Sequence, residues 1–309
     1  MERQNRDTRK TRPGLTYNII INPKAADYSR EKIDKLCKAI TDAGGRYYLN
    51  EPDSPQSIVY HTKRIITKNP GGIIVCGGDG TINLVARHII RRTIPLGIVP
   101  MGRFNNIYRS LYGEPDFKKA VDHILSGRDR KIDYGLASGE FFLGSVALGF
   151  IPQLHQLLQN RKPPRFAISW SRLAAQAAAM VEPKPFAIKV DAFAFDFTPQ
   201  TFSINLLSHI AGIPIIPSCI PNDGKCEVVF DIGEGHAIMS SYLRQLFKRK
   251  YLYSDDVRLY RGERISVISV EGQKAYIDGE IVTLRAPELR VEVFAQKIRI
   301  FHKPDTVKK

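Results

Sequence analysis

Gly72-Ile73-Ile74-Val75-Cys76-Gly77-Gly78-Asp79-Gly80-Thr81-Ile82-Asn83-Leu84-Val85-Ala86 is the stretch on which the fold turns. It opens with a short apolar run, the composition of a strand buried on both faces. It ends, from about Thr81, in a helical repeat, with Ile82, Val85, Ala86, Ile89 and Ile90 on one side. Between them lie three glycines and one acid in five residues. Glycines let the backbone approach a phosphate closely, and the helix that starts there adds its positive N-terminal end. Asp79 can assist a metal ion or accept a proton, and Thr81 can cap the helix or bond a phosphate oxygen. The plainer alternative is a tight loop in which both residues only cap. So much glycine in a strand-to-helix turn favours the phosphate reading.

Outward from this unit the pattern repeats. Residues 15–21 form a β-rich apolar run closed by Asn22-Pro23, and residues 46–49 and 94–99 give further strands. Helices are expected over residues 55–68, 116–126 and 29–44, the last with Ile33, Leu36, Cys37 and Ile40 on one face. Strands and helices alternating through short links predict a parallel sheet covered on both faces, a Rossmann-like α/β domain over residues 14–132. After about Lys131 the pattern changes. Short segments rich in Val, Ile, Phe and Tyr, separated by Gly, Pro, Asn and Asp, predict mainly antiparallel β structure over residues 133–296. Helical inserts are expected at residues 164–181 and 236–250, and residues 1–13 read as a disordered basic tail.

The chain has 309 residues, 43% of them hydrophobic and 25% charged, a globular composition that argues against disorder. Such a length favours two domains over one core. Lys and Arg number 46 against 31 Asp and Glu, a formal charge of +15 that any functional reading has to accommodate. The longest apolar runs, residues 141–151 and 204–216, are too short to cross a bilayer. The N-terminal residues are charged, with no apolar region behind them, so no signal peptide and a cytoplasmic location are expected. Cys37, Cys76, Cys219 and Cys226 lack metal-ligand spacing and sit among apolar neighbours, as buried thiols do. The histidines are scattered, and Ser169-Trp170-Ser171 lacks the glycines of a nucleophile elbow. There is no GxxxxGK[ST] loop. Nucleic-acid binding has only the charge behind it, so no nucleic-acid partner is expected.

Taken in order, the motifs resemble a known family. Asn22-Pro23, Gly77-Gly78-Asp79-Gly80-Thr81, Pro95-Leu96-Gly97-Ile98-Val99-Pro100 leading into Gly102, Pro217, Asp223-Gly224 and Asp278-Gly279-Glu280 look like the catalytic region of diacylglycerol and sphingosine kinases, above all the bacterial ones. The resemblance covers about residues 15–302. The glycine-rich motif alone is shared with NAD kinases, whereas the succession is specific to the lipid kinases. It implies an N-terminal α/β domain, a C-terminal β-sandwich and an active cleft between them, with a last strand near residues 297–303 returning to the first domain. It implies an ATP site lined by Asn22, Gly77, Gly78, Asp79, Gly80, Thr81 and Asn83, with Mg²⁺ bridging the phosphates. It makes Glu280 the proton acceptor for the lipid hydroxyl and puts Asp278 close to the transferred phosphate. It also implies a structural Mg²⁺ at Asp223, helped by the backbone carbonyls of Ile220 and Lys225. Taken singly, Asp278-Gly279 and Asn222-Asp223-Gly224 read as hairpin turns, and only the order of motifs lifts them above that.

The chain also departs from the family pattern. Lys24-Ala25-Ala26-Asp27 lacks the usual Gly after Asn-Pro, and Leu84 stands where Glu is usual. Gly102-Arg103-Phe104-Asn105-Asn106 replaces Gly-Thr-x-Asn-Asp, so that Arg103 stands for Thr and Asn106 for Asp. Arg103 can replace a neutral hydroxyl contact by a charge-assisted phosphate contact in the nucleotide site. The alternative is a catalytically degenerate member that binds lipid or nucleotide. Because Asp79, Asp278 and Glu280 persist, a working ATP-dependent kinase of a diacylglycerol-like or sphingoid membrane lipid is the favoured expectation, with an NAD kinase further off. Basic residues gather at Arg3, Arg6, Arg9, Lys10 and Arg12, at Arg161, Lys162 and Arg165, and at Arg244 and Lys248-Arg249-Lys250. They read as solvated faces or as a surface for the anionic inner face of the membrane. Residues 163–170 read as an interfacial contact or as an ordinary helix with Trp170 in the core. The sequence leaves the oligomeric state unspecified.

Overall fold

Ile19, Ile20 and Ile21 of the first strand are fully buried, as a strand covered on both faces requires. The structure is a computed structural model that describes residues 14–159, 167–232 and 251–304. The chain divides into two units: the first runs to Asn105 and includes Glu114–Ile132 and the residues from Lys297, and the second comprises Asn106–Gly113 and Asp133–Gln296. The tail at 1–13, the basic residues 161, 162 and 165, and the insert at 236–250 lie outside the described residues.

In the first unit the elements are β1 (Thr16–Ile21), α1 (Arg30–Asp42), β2 (Arg46–Asn50), α2 (Pro55–Ile66), β3 (Gly72–Gly77), α3 (Asp79–Ala86) and β4 (Leu96–Pro100). Helix α4 (Asn106–Tyr112) belongs to the second unit, and α5 (Phe117–Leu125) returns to the first. The sheet order is β2-β1-β3-β4, parallel throughout. The end of the last strand joins it, with Ile300 paired in parallel to Leu96. Side-chain caps start three of the helices of the first unit. The Ser29 hydroxyl accepts the Lys32 amide at 3.3 Å, and Asp116 accepts the Lys119 amide at 2.9 Å. Ser54 accepts the Ser57 amide at 3.2 Å with Pro55 in the first helical turn. Ile33, Leu36, Cys37 and Ile40 of α1 then pack on Ile19, Ile21, Ile74 and Cys76 of the sheet.

The second unit carries β5 (Asp129–Ala137), β6 (Glu140–Phe142), β7 (Ser145–Gly149), α6 (Phe150–Leu158), α7 (Ala167–Ala179), β8 (Phe186–Val190), β9 (Phe193–Phe197) and β10 (Thr201–Asn205). There follow β11 (His209–Ile210), β12 (Ile213–Pro214), β13 (Cys226–Asp231), β14 (Val257–Gly262), β15 (Arg264–Ile268), β16 (Lys274–Ile277), β17 (Glu280–Thr283) and β18 (Glu288–Phe301). One antiparallel sheet runs β14-β13-β10-β7-β16-β17, and a second is built from β18, β15, β8 and β9. They form a sandwich. Val146, Leu148, Phe202, Ile204, Val228 and Phe230 of the first share one core with residues such as Ile188, Ile265, Val267 and Val291 of the second.

Two helices escape the sequence reading. Helix α6 starts inside the continuous apolar run of residues 141–151, where strand and helix periods merge. Gly149 makes the turn at φ +73, and a Cβ there would stand 2.3 Å from the Gln200 carbonyl oxygen. Helix α4 is too short for a clear period. Trp170 is buried on α7 together with Leu173, Ala174 and Ala177, as the core reading expects, and residues 163–166 of that segment lie outside the described residues. Cys37, Cys76 and Cys226 are buried as expected, and Cys219 is half-buried. No described helix is long and apolar enough to cross a membrane.

Candidate active site

The glycine-rich turn is held by its neighbours in the first unit. The Asn22 amide donates to Cys76 O at 3.0 Å, and its side-chain NH₂ donates to the Thr81 hydroxyl at 3.0 Å. Asn22 thus ties the end of β1 to the first turn of α3. Met101 N donates to Gly77 O at 3.0 Å, and Asp27 N to Met101 O at 2.8 Å, which draws the loops after β1 and β4 together. The three glycines have different reasons to be there. A Cβ on Gly77 would meet Thr81 Cβ at 2.9 Å, and one on Gly78 would meet Gly102 Cα at 2.9 Å. Around Gly80 there is open space within 4 Å. Gly78 caps α3 in an extended conformation without a side-chain hydrogen bond. Beyond the cap, nothing crowds the start of the helix at Gly80, a cradle suited to phosphate oxygens.

Gly102 follows directly in the chain. Its own Cβ would stand 2.4 Å from Gly78 Cα, so both glycines are required for the two loops to touch. Asn105 fixes this contact, accepting the Gly102 amide through Oδ1 and donating through Nδ2 to the Gly102 carbonyl, both at 2.8 Å. The sequence reading gave Asn105 no role. Arg103 lies in the bend next to the contact and is exposed. Asn83 is buried, and its carbonyl oxygen accepts Arg87 at 2.6 Å, one helical turn on. That pairing engages a side chain that the resemblance assigns to the nucleotide site. Asp79, half-buried in the first turn of α3, is the carboxylate of this loop. A nucleotide-bound magnesium ion takes one or two carboxylates and the remainder from phosphate and water, and Asp79 is the carboxylate that this loop offers.

In the second unit Asp278 and Glu280 bracket the tight turn between β16 and β17. Asp278 adopts φ +46 and Gly279 φ +99. The Asp278 carboxylate accepts three consecutive amides: Leu143 at 2.6 Å, Gly144 at 2.9 Å and Ser145 at 2.8 Å. Its own amide donates to Ser145 O at 3.0 Å. Such a carboxylate anchors the hairpin to the start of β7. The resemblance puts it beside the transferred phosphate; the structure shows its oxygens engaged by backbone. Glu280 pairs with Ile277 across the turn, and its exposed carboxylate makes no hydrogen bond or ion pair with any described residue. Asn106, where the family has Asp, accepts the Gly212 amide at 2.7 Å, a bond that a carboxylate or an amide oxygen makes equally well.

The structural Mg²⁺ that the resemblance attaches to Asp223, Ile220 and Lys225 does not fit this chain. Asp223 Oδ2 is paired with the Arg261 guanidinium, and Oδ1 accepts the Lys225 amide at 3.1 Å.

Comparison with known proteins agrees with this architecture. The family described as "Diacylglycerol kinase catalytic domain" matches residues 16–137, and the "YegS C-terminal NAD kinase beta sandwich-like domain" matches residues 144–302. A diacylglycerol kinase from Staphylococcus aureus is 23% identical over 272 residues, covering 85% of this chain and 85% of that protein. One from Staphylococcus carnosus is 23% identical over 271 residues, covering 85% and 87%. The crystal structure of a diacylglycerol kinase from Bacillus anthracis superposes with a TM-score of 0.73 over 94% of this chain and 97% of that one at 18% identity, a likeness of fold. The order of motifs, the α/β unit with its glycine-rich turn and the β-sandwich with its Asp-Gly-Glu hairpin all lead to one assignment: the chain belongs to the diacylglycerol kinase type of the lipid kinase family.

Proposed function

We propose that this chain is an ATP-dependent lipid kinase that transfers the γ-phosphate of ATP to a hydroxyl of a membrane lipid of the diacylglycerol or sphingoid kind. The observation that carries the reading is the pairing of roles within one hairpin: Asp278 is spent on anchoring while Glu280 keeps a free carboxylate. An unpaired carboxylate on an anchored hairpin suits a general base better than a structural acid. Glu280 takes the proton of the lipid hydroxyl as its oxygen bonds to the γ-phosphorus, and the bond to the bridging oxygen breaks to leave ADP. The amides at the start of α3 and the Asn22-supported loop orient the phosphates, and Arg103 adds a positive charge beside them. Magnesium, when bound, supplies charge neutralisation on the phosphates, and Asp79 is the residue that would hold it.

The formal charge of +15 supports docking on an anionic membrane surface, where each basic residue near the lipid contributes about 1 kcal/mol before screening. The test is phosphate transfer from Mg-ATP to a panel of diacylglycerol, sphingoid base, ceramide and phosphatidylglycerol in anionic vesicles. At least one lipid should be phosphorylated, and vesicle binding should weaken as salt rises. Nucleotide binding with every lipid inert would instead favour the degenerate reading, to which Leu84 and Asn106 in place of acids lend weight. Conversion of NAD to NADP would favour the third.

A further inference from the structure

The loop that leads into β13 is closed by a guanidinium where the family resemblance implies a divalent cation. Arg261 on β14 lies directly opposite Glu227 on β13 in the antiparallel ladder. The register of the sheet, not a flexible side chain alone, therefore delivers the guanidinium to the loop. Its Nη2 pairs with Asp223 Oδ2, and its Nε stands 3.3 Å from Glu227 Oε1. Glu227 is only 3% exposed, and its second oxygen accepts the Cys219 thiol at 3.0 Å. One cation thus stands between two carboxylates, one of them buried.

The rest of the loop is secured by protein groups as well. Asp133 donates its amide to Pro221 O at 2.8 Å, and its carboxylate accepts Gly224 N at 2.7 Å and Gln296 N at 2.6 Å. The Gln296 side chain donates to Asn222 O at 3.1 Å. Gly224 sits at φ +79 with Ala295 Cβ 3.2 Å from where its own Cβ would be, so the turn is packed as well as hydrogen-bonded. A divalent ion at Asp223 would compete with the guanidinium for the carboxylate and stand beside its positive charge.

We propose that Arg261 replaces the structural cation in this chain, so that the Asp223 loop is stable without Mg²⁺. The inference is independent of the kinase reading, and its test uses the full chain without nucleotide or lipid. Thermal unfolding should give the same midpoint in EDTA and in millimolar MgCl₂. Titration with Mn²⁺, followed by electron paramagnetic resonance, should show no ion whose binding is lost in Asp223→Asn. Arg261→Met should unfold several degrees lower in EDTA, recover with added Mg²⁺ and acquire a stoichiometric Mn²⁺ ion; Arg261→Lys should keep most of the wild-type midpoint in EDTA. A wild-type midpoint that drops in EDTA, or a bound Mn²⁺ abolished by Asp223→Asn, would overturn the proposal even if Arg261→Met failed to fold.

Discussion

The Asp278 carboxylate lies 2.9 Å from the Gly144 amide, and the two residues are packed so closely that a Cβ on Gly144 would stand 2.8 Å from Asp278 Oδ1. The contact joins the hairpin carrying Glu280 to the strand β7 at the centre of its sheet, next to β10. Asp278→Ala would strip the partner from three amides of residues that are buried, each costing about 1–3 kcal/mol if left unmade. Urea unfolding should show a loss of about 3 kcal/mol or more, with Asp278→Asn in between. Unfolding of Asp278→Ala at the wild-type midpoint would remove the anchor role.

Glu280→Gln keeps the shape of the side chain and removes its basicity. Turnover on the phosphorylated lipid should fall by about 10²–10⁴, the usual worth of a general base, with nucleotide affinity nearly unchanged. Radiolabel transfer and direct nucleotide titration read the two separately. Wild-type turnover in the variant would take Glu280 out of the reaction.

Glycines 80 and 102 separate a ligand role from a packing role. Gly80→Ala meets nothing within 4 Å and should leave the melting temperature within about a degree while weakening nucleotide binding. Gly102→Ala puts a methyl group 2.4 Å from Gly78 Cα and should destabilise the first unit by about 1–3 kcal/mol, the ordinary cost of overpacking. Melting curves with and without nucleotide distinguish them, and equal behaviour of the two variants would contradict the assignment.

His123 should make stability fall in mild acid. Burial, reinforced by the positive charges of His302, Arg130 and Lys303, pushes its pKa down to about 4, while Asp122 opposes the shift. Its Nδ1 accepts the Lys303 amide at 2.9 Å, and its ring stacks on His302 with centroids 5.5 Å apart. The folded chain holds the ring neutral, whereas the unfolded chain takes a proton below about pH 6.5. The contribution is therefore full above about 6.5 and lost as pH falls toward 4. Urea midpoints at pH 7.5, 6 and 5 should drop less steeply in His123→Asn than in wild type, and parallel profiles would count against this account.

Where a single element decides its own state, the sequence was readable. Ser29 announces its helix because a cap is a contact over three residues, and the isoleucines of β1 announce a strand covered on both faces. Helix α4 and helix α6 were hidden, the first by its length and the second because its apolar residues run on from β7. The candidate site was legible as an order of motifs. Asn22, Thr81 and Gly102 do come together around the glycine-rich turn, since a parallel sheet brings the ends of neighbouring strands to one edge.

Other roles lie outside what residue types and spacing can specify. Asp278 and Glu280 are two carboxylates two residues apart, and nothing local says that one is bound by three amides while the other stands free. That division depends on residues 143–145, more than a hundred positions away. Likewise the resemblance makes Asp223 a metal ligand, whereas strand pairing puts Arg261 opposite Glu227 and its guanidinium on Asp223. The sequence by itself determined the two architectures and the family, because hydrophobic period, caps and motif order act over short range. The tertiary structure decided which charged groups are spent on the fold and which remain available for chemistry, because a charge finds its partner through space and not along the chain.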